Sequence, residues 1–299
     1  MCGFIGFSGK FSQESLKGSL SFTDPDFNFT GTELTYYLQN IKNDKSESGY
    51  ENDVIGGGIS LTYEKFKNIY LSPGISLLYD DLKTDSSASS LLKKQSGTST
   101  DLLFDYSLST DQRDRRFMPT AGHYSSFFQE APIYSDQPHI KNGFSTSHYK
   151  ELNEDIIGAL KFRATAVNAI GDDDVKLSQR LNLSTRQLRG FEAGKVGPKD
   201  GDDFIGGNYI TSLNLEANLP NFFPEKSNAE IGLFLDAGNV WGVDYSDSID
   251  DSNKIRSTIG INTSWLSPAG PLSFVFSNNL TKASTDVTQS FNFRLGTTF

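Results

Sequence analysis

Apolar and polar residues alternate with a period of two along most of this chain, and no apolar run approaches the ~18 residues of a membrane-spanning helix. The alternation is clearest at the end, where Phe291, Phe293 and Leu295 alternate with polar residues or glycine. Successive side chains of a β-strand point to opposite faces, so the pattern predicts strands with one apolar face each. A helical membrane span is excluded. A closed barrel is not, because it pairs its backbone polar groups internally.

Fourteen segments carry this pattern, and each is long enough to cross a bilayer when tilted. They lie near residues 3–10, 15–22, 32–42, 53–63, 68–82, 98–109, 121–132, 142–152, 157–170, 208–219 and 229–241, with three more within 255–265, 272–277 and 291–299. Short turns such as 267–270 alternate with long polar loops, of which 171–207 is the longest. Short turns at one rim and long loops at the other are typical of outer-membrane barrels. The predicted fold is therefore an all-β, antiparallel transmembrane barrel.

Composition agrees with a lipid-facing barrel, in which only every second strand residue must be apolar and aromatic residues gather at the interfaces. Hydrophobic residues make up only 36% of the chain, yet Phe occurs 23 times and Tyr 12 times. A soluble β-sandwich or propeller also shows alternating strands, but it has no reason to finish on an aromatic residue such as Phe299. The net charge of −10 argues against a nucleic-acid partner.

Several motifs occur in an order that identifies a family. The longest loop contains Gln187–Glu192 (QLRGFE) and Val196–Lys199 (VGPK). Three further motifs lie in the middle and late part of the chain, at Asp114–Gly122, Leu235–Trp241 and Leu266–Leu272. In type and order these motifs resemble the BamA family of outer-membrane barrel assembly factors, over most of the chain from about residue 15.

The resemblance implies a site. In that family the long extracellular loop folds back into the barrel lumen, and its arginine meets acidic groups on the inner wall. Carried over, the lumen-loop residues are Arg189, Gly190, Phe191, Gly197, Pro198 and Lys199, and the acidic partners are Glu216 and Asp236. The terminal strand resembles the family's β-signal and seam, with Phe291, Phe293, Leu295, Gly296 and Phe299.

Alternation supports this geometry independently. Leu213 and Leu215 share one face of their strand, which places Glu216 on the other, and Leu233 and Leu235 do the same for Asp236. Two carboxylates in one lumen would repel each other unless a cation lay between them. A guanidinium suits this position because its planar fork can bond both while staying charged. The alternative is that Arg189 is a surface-loop charge and that both acids are solvated.

The implied function is non-enzymatic: assembly and insertion of β-barrel proteins into the bacterial outer membrane, by strand templating at a lateral seam. Expected partners are unfolded outer-membrane proteins, outer-membrane lipid and the lipoproteins of an assembly complex. Neither a cofactor nor a metal is expected, since His123, His139 and His148 lack metal-ligand spacing. A translocation or secretion barrel of the same superfamily and a passive, porin-like channel remain as alternatives.

The chain also departs from the family pattern of sixteen strands preceded by periplasmic POTRA domains. Fourteen strands lead us to expect that residues 1–299 form a C-terminal barrel domain without its POTRA domains and about its first two strands. Residues 288–299 would then face an open edge or an unnatural partner near residues 3–10. We expect that this chain alone is not a working insertase, because open strand edges are not tolerated in lipid.

Overall fold

The computed structural model describes residues 3–11, 15–45, 48–116, 118–219, 229–267 and 270–295. Its strands are β1 (Phe4–Phe11), β2 (Ser15–Phe27), β3 (Thr32–Lys45), β4 (Tyr50–Phe66), β5 (Ile69–Thr84), β6 (Gly97–Asp111), β7 (Gly122–Ser135), β8 (His139–Glu151), β9 (Ile157–Ala169), β10 (Lys199–Asp200), β11 (Asp203–Phe204), β12 (Tyr209–Asn218), β13 (Ala229–Trp241), β14 (Arg256–Ser267), β15 (Gly270–Thr281) and β16 (Phe291–Leu295). One short helix, α1 (Ser90–Lys93), and a 3-10 turn, Leu177–Gln179, lie in loops. Within the described ranges no helix has both the length and the apolar character needed to span a membrane.

Fourteen of these strands form one antiparallel sheet in which each strand pairs with the next along the chain. The order is interrupted only between β9 and β12, which pair directly while the connection between them carries the separate β10–β11 hairpin. The predicted all-β antiparallel architecture and its fourteen strands are confirmed. Among the residues described, no hydrogen-bonded ladder joins β1 to β16.

The two faces of the sheet differ as the alternation predicts. On β13, Leu233 and Leu235 are 45% and 40% exposed, whereas Phe234 between them is 2% exposed. On β14, Ile259 and Ile261 lie on the exposed face. An apolar outer face with protected alternate residues is the arrangement of a barrel wall against lipid.

The sheet curls around the connection between β9 and β12. Near the start of this connection, Lys176 places its Nζ 3.1 Å from an Oδ2 of Asp80 on β5. Further along, Arg189 bonds Asp236 on β13. One loop reaches strands from both halves of the sheet only because the sheet wraps it, so the main core lies inside the sheet and is partly built by this loop.

Strand ends differ from the prediction at several places. The strand predicted near residues 15–22 is longer in the structure, because β2 continues to Phe27 through a bulge and the turn follows at 28–31. There Asn28 and Phe29 adopt positive φ angles. Many strands extend beyond their apolar stretch because backbone pairing continues where the side chains have become polar.

Candidate functional site

The loop of residues 170–208 carries its own apolar face into the interior. Its buried side chains Val175, Leu181, Leu183, Leu188, Phe191 and Val196 form one cluster with Val167, Ile210 and Val240 of the wall. Burying these groups removes apolar surface from water and fixes the loop against the sheet. The loop is therefore a packed plug, which we call the lumen loop.

Arg189 lies at the centre of this plug. Its Nε and Nη2 donate to the two oxygens of Asp236 at 2.7 and 2.6 Å, a bidentate pair. Its Nη2 also lies 3.0 Å from Oε1 of Glu216. The guanidinium carbon stands 3.7 Å from the ring centroid of Phe234, a cation–π contact. Burial alone would lower the pKa of Arg189, but the two carboxylates outweigh it and hold the pKa above its ordinary value.

Both carboxylates have further donors. Asp236, which is fully buried, also accepts from the backbone N–H of Arg189 at 3.1 Å and from Nδ2 of Asn214 at 2.8 Å. Glu216 accepts from Nζ of Lys161 on β9 at 2.6 Å. Two cations and two anions thus form a neutral quartet. A buried charge is tolerated when it is paired and hydrogen-bonded in this way.

Gly190 lies against the strands beyond β13, whereas Phe191 packs in the apolar cluster. Gly190 has a φ of +85°, and a Cβ there would lie 2.8 Å from Cγ2 of Thr258 on β14. Only glycine adopts this backbone freely and leaves room for that wall. The hydroxyl of Thr258 donates to the carbonyl of Arg189 at 2.8 Å, and Asn279 on β15 donates to the carbonyl of Gly190 at 2.9 Å. Phe191 is buried in the apolar cluster.

The Val196–Lys199 segment packs on the end of β13. Gly197 has a φ of +106°, and a Cβ on it would lie 2.8 Å from Cβ of Val240. The carbonyl of Pro198 accepts from the N–H of Ile205 at 3.2 Å, and Nζ of Lys199 lies 4.6 Å from the ring centroid of Phe204. The second half of the motif therefore folds the lumen loop into its β10–β11 hairpin.

A second buried ion pair, which the sequence did not indicate, lies beside Gly197. Arg256 donates through Nε and Nη2 to both oxygens of Asp286, at 2.9 and 3.0 Å. The side chains are 3% and 0% exposed. Asp286 belongs to the loop before β16, and its Oδ1 also accepts from the N–H of Gly197 at 3.4 Å. This pair joins the wall, the lumen loop and the loop at residues 282–290.

Two more cations anchor the lumen loop near its start. Lys176 bonds Ser99 on β6 at 2.6 Å besides its ion pair with Asp80. Arg180 pairs with Asp244 of the loop that follows β13, and its guanidinium carbon lies 4.9 Å from the ring centroid of Tyr245. Burial raises the pKa of Asp244, but Arg180 and hydrogen bonds together hold that pKa below its ordinary value.

The lumen loop also pairs with the segment that leads into the last strand. The N–H of Gln289 donates to the carbonyl of Gly190 at 3.0 Å, and the N–H of Glu192 donates to the carbonyl of Val287 at 3.0 Å. On β16, Nη2 of Arg294 donates to the carbonyl of Thr185 at 3.3 Å. These hydrogen bonds therefore couple the position of β16 to the lumen loop at residues 185–192.

On the terminal strand, Phe291 and Phe293 are exposed, and they contact Phe276 and Phe274 across the ladder in a tilted arrangement, with ring centroids 5.0 and 5.1 Å apart. Leu295 pairs through its backbone with Leu272. Gly296 and Phe299 lie outside the described residues. So do Phe117, Pro268 and Ala269 of the other motifs.

The arrangement holds the lumen loop against the wall. Lys161, Phe234 and Arg256 were missed by sequence reasoning. Alternation along β9 could have predicted the inward position of Lys161, because its neighbour Leu160 lies on the exposed face. No group of three or more potential metal-ligating side chains occurs in the part of the chain that the structure describes.

Comparisons with known proteins agree with this geometry. Residues 3–299 match the Omp85 superfamily domain. Outer membrane protein assembly factor BamA of Neorickettsia risticii is 25% identical over 264 residues, covering 86% of this chain and 36% of that protein. The BamA of Neisseria meningitidis serogroup B is 25% identical over 340 residues, covering 96% of this chain and 42% of that protein. This chain thus spans well under half of either relative.

A solved structure shows the same fold. The crystal structure of BamA from Haemophilus ducreyi lacking POTRA domains 1–3 superposes with a TM-score of 0.86 at 24% identity. The match covers 99% of this chain and 64% of the other. The fourteen-stranded sheet is therefore the barrel fold of that protein.

Proposed function

Because the chain belongs to the Omp85 superfamily, we propose that it is the barrel of a bacterial outer-membrane assembly factor that folds and inserts other β-barrel proteins. The observation that carries this proposal is the buried pairing of Arg189 with Asp236 and Glu216 inside the wall. A passive pore has no need of such a loop, because a packed plug obstructs diffusion. The BamA relatives support the same assignment.

In this proposal, a substrate enters the membrane at the edge of the last strand. Within the described residues β16 pairs with β15 alone, through five residue pairs. An extended segment of an unfolded outer-membrane protein can add to such an edge through backbone hydrogen bonds, by β-augmentation. Strand pairing and burial of apolar side chains in lipid would supply the free energy, without a nucleotide or another cofactor.

The lumen loop would set the geometry of that edge. It is tied to the segment before β16 by backbone bonds and to the wall by the Arg189 quartet. We propose that the quartet acts as a positioning device, which holds the loop in one register while the edge opens and closes. Lipoprotein partners would bind POTRA domains in a longer protein of which residues 1–299 form the C-terminal barrel.

Reconstitution tests the proposal. The full-length protein is placed in liposomes, an unfolded outer-membrane protein is added, and folding is followed by protease protection. We expect faster folding than in empty liposomes, and slower folding with Arg189→Ala. A matched control is Lys254→Ala, which removes an exposed loop cation paired with Asp250.

Planar-bilayer conductance separates this function from a passive channel. The assembly factor is expected to show a low conductance with few openings, because the lumen loop obstructs the interior. A large, steady conductance without any acceleration of folding would overturn the proposal in favour of a porin. Rescue of a strain depleted of its assembly factor distinguishes it from a secretion barrel of the same superfamily.

A further inference from the structure

The outer face of β7 and β8 is more polar than the outer face of β13 and β14. Three of its cross-strand rows are polar, and they pair His123 with His148, Ser125 with Thr146 and Gln129 with Asn142. One apolar row, Phe127 with Phe144, lies among them. We call the three polar rows the polar stripe.

The stripe lies on the outward face by register. Phe144 is 42% exposed and its ring centroid is 6.4 Å from that of Phe162 on β9. In the alternate register, Phe128 fills the space over Gly143, and Glu130 lies 3.9 Å from Lys141. These alternate residues face the interior, so Gln129 and Asn142 face outward.

Single polar residues such as Asn278 on β15 also face outward elsewhere, but two other strands carry consecutive apolar residues at their outward positions. On β13 and β14 these are Leu233, Leu235, Ile259 and Ile261. Lipid tails neither donate nor accept hydrogen bonds, so an outward amide in lipid is costly unless another group satisfies it. The polar stripe is therefore an anomaly in a wall that faces lipid alone.

Cross-strand hydrogen bonds pair only some of the side-chain donors and acceptors in the polar stripe. Nε2 of Gln129 donates to Oδ1 of Asn142 at 2.6 Å, and the hydroxyls of Ser125 and Thr146 are 2.8 Å apart. Among the described residues, nothing hydrogen-bonds the other ends of the two amides, Oε1 of Gln129 and Nδ2 of Asn142. One acceptor and one donor thus remain on the outer surface of this row.

We propose that the polar stripe is the contact through which two copies of this barrel associate in the membrane. The inference rests on the proposed placement of the chain in the outer membrane. Amides and hydroxyls both donate and accept, so the stripe is complementary to itself. It contains no Asp, Glu, Lys or Arg, so two copies meet without like-charge repulsion. The three rows lie along the strands, so a partner that presents a matching face along its own strands fits them.

Symmetry fits this partner. A two-fold axis along the membrane normal brings each row opposite its own copy at the same depth. The free acceptor of Gln129 then faces the free donor of Asn142 in the second copy. Strands β7 and β8 are the seventh and eighth of fourteen in the sheet, halfway from β1 and β16. A dimer formed there leaves the edge of β16 open to lipid and substrate.

Cysteine cross-linking tests the dimer. In full-length protein carrying Cys2→Ser, Ser125→Cys is treated with a short bis-maleimide in outer-membrane vesicles. We expect an adduct of twice the monomer mass. The control is Ile259→Cys on β14, an exposed outward position far from the stripe, which should give little adduct. Equal adducts at both positions would indicate random collision and overturn the proposal.

The second arm removes the hydrogen bonds. Gln129→Leu combined with Asn142→Leu should lower the dimer fraction roughly tenfold or more. Hydrogen bonds between polar side chains contribute to the association of protein segments within a membrane, and this change removes them. Asn278→Leu, which removes an exposed amide on β15, should leave the adduct unchanged. Heat-modifiable gel mobility reports that each variant is folded.

The remaining outcomes separate this inference from the function. An adduct of another mass identifies a different protein partner and overturns self-association. Absence of the Ser125→Cys adduct in a strain whose assembly function is rescued overturns the dimer alone. A dimer in a strain that is not rescued overturns the proposed function alone.

Discussion

Substituting Arg189 by alanine is the sharpest perturbation of the lumen loop. Asp236 accepts from Nε and Nη2 of Arg189, from its backbone N–H and from Asn214, so the change removes two of four donors from a fully buried carboxylate. Removing one partner of a buried ion pair costs about 3–5 kcal/mol. Glu216 keeps Lys161 at 2.6 Å, which favours the lower end of that range. A loss of about 3 kcal/mol raises the undocked population of the loop roughly 150-fold.

Amide hydrogen exchange measures that population directly. In the full-length protein, the amides of residues 187–192 exchange when the loop undocks, so their protection should fall by roughly the same factor, about 150-fold. Lys254→Ala, which breaks an exposed pair in another loop, should leave this protection unchanged. Protection in Arg189→Ala equal to that in the parent protein would refute the reasoning.

A double-mutant cycle separates pairing from packing. Arg189→Ala leaves a buried anion, and Asp236→Ala leaves a buried cation, so each single change creates an uncompensated charge. The double variant removes both, and its loss of protection should be well below the sum of the single losses. Additive losses would mean that the two side chains act independently and that the contact does not fix the loop.

Three further outcomes are expected. Gly190→Ala should destabilise loop docking by about 1–2 kcal/mol through its positive φ alone, and more through the close approach to Thr258, which hydrogen exchange of the loop would detect. Arg256→Gln should expose the loop before β16 to protease, because its buried aspartate partner loses a charge-assisted bidentate bond. The pKa of Asp244 is depressed, so its pairing with Arg180 stabilises the loop at neutral pH, and this contribution should be lost as pH falls below the ordinary value of 3.8. Protease sensitivity of the loop against pH, with Asp244→Asn as a flat reference, checks the sign.

Period-two alternation predicted the sheet well because it reports directly which face of a strand is buried. Segments such as 229–241 and 291–295 show the expected outward Leu and Phe residues. The sequence pattern predicted the ends of the strands less accurately. β2 continues past residue 22 because the backbone of Thr23, Asp24 and Phe27 still pairs with β3, although the aspartates there interrupt the apolar alternation.

The candidate site could be predicted only in part. Alternation turned Glu216 and Asp236 to the face away from lipid, and a cation between them was the physical requirement. The register between strands decides which cations lie near these carboxylates. Lys161 on β9 lies directly opposite Asn214 on β12, which precedes Glu216 on the same face of that strand. A single sequence contains no such cross-strand information, and the interior position of Phe234 beneath a guanidinium is equally invisible to it.

Buried charges in the lumen loop are better understood as fixing position than as adding stability, because desolvation can offset the attraction of a buried pair. Three buried cations of this loop each meet a carboxylate on a different element: Lys176 meets Asp80 on β5, Arg180 meets Asp244 in a loop, and Arg189 meets Asp236 on β13. An apolar loop could slide along an apolar wall at small cost, since hydrophobic contact has no direction. Three ion pairs on three elements exclude such sliding, because any shift leaves several buried charges unpaired at once. The register of the loop, and through its backbone bonds the position of the segment before β16, is thereby set by charge.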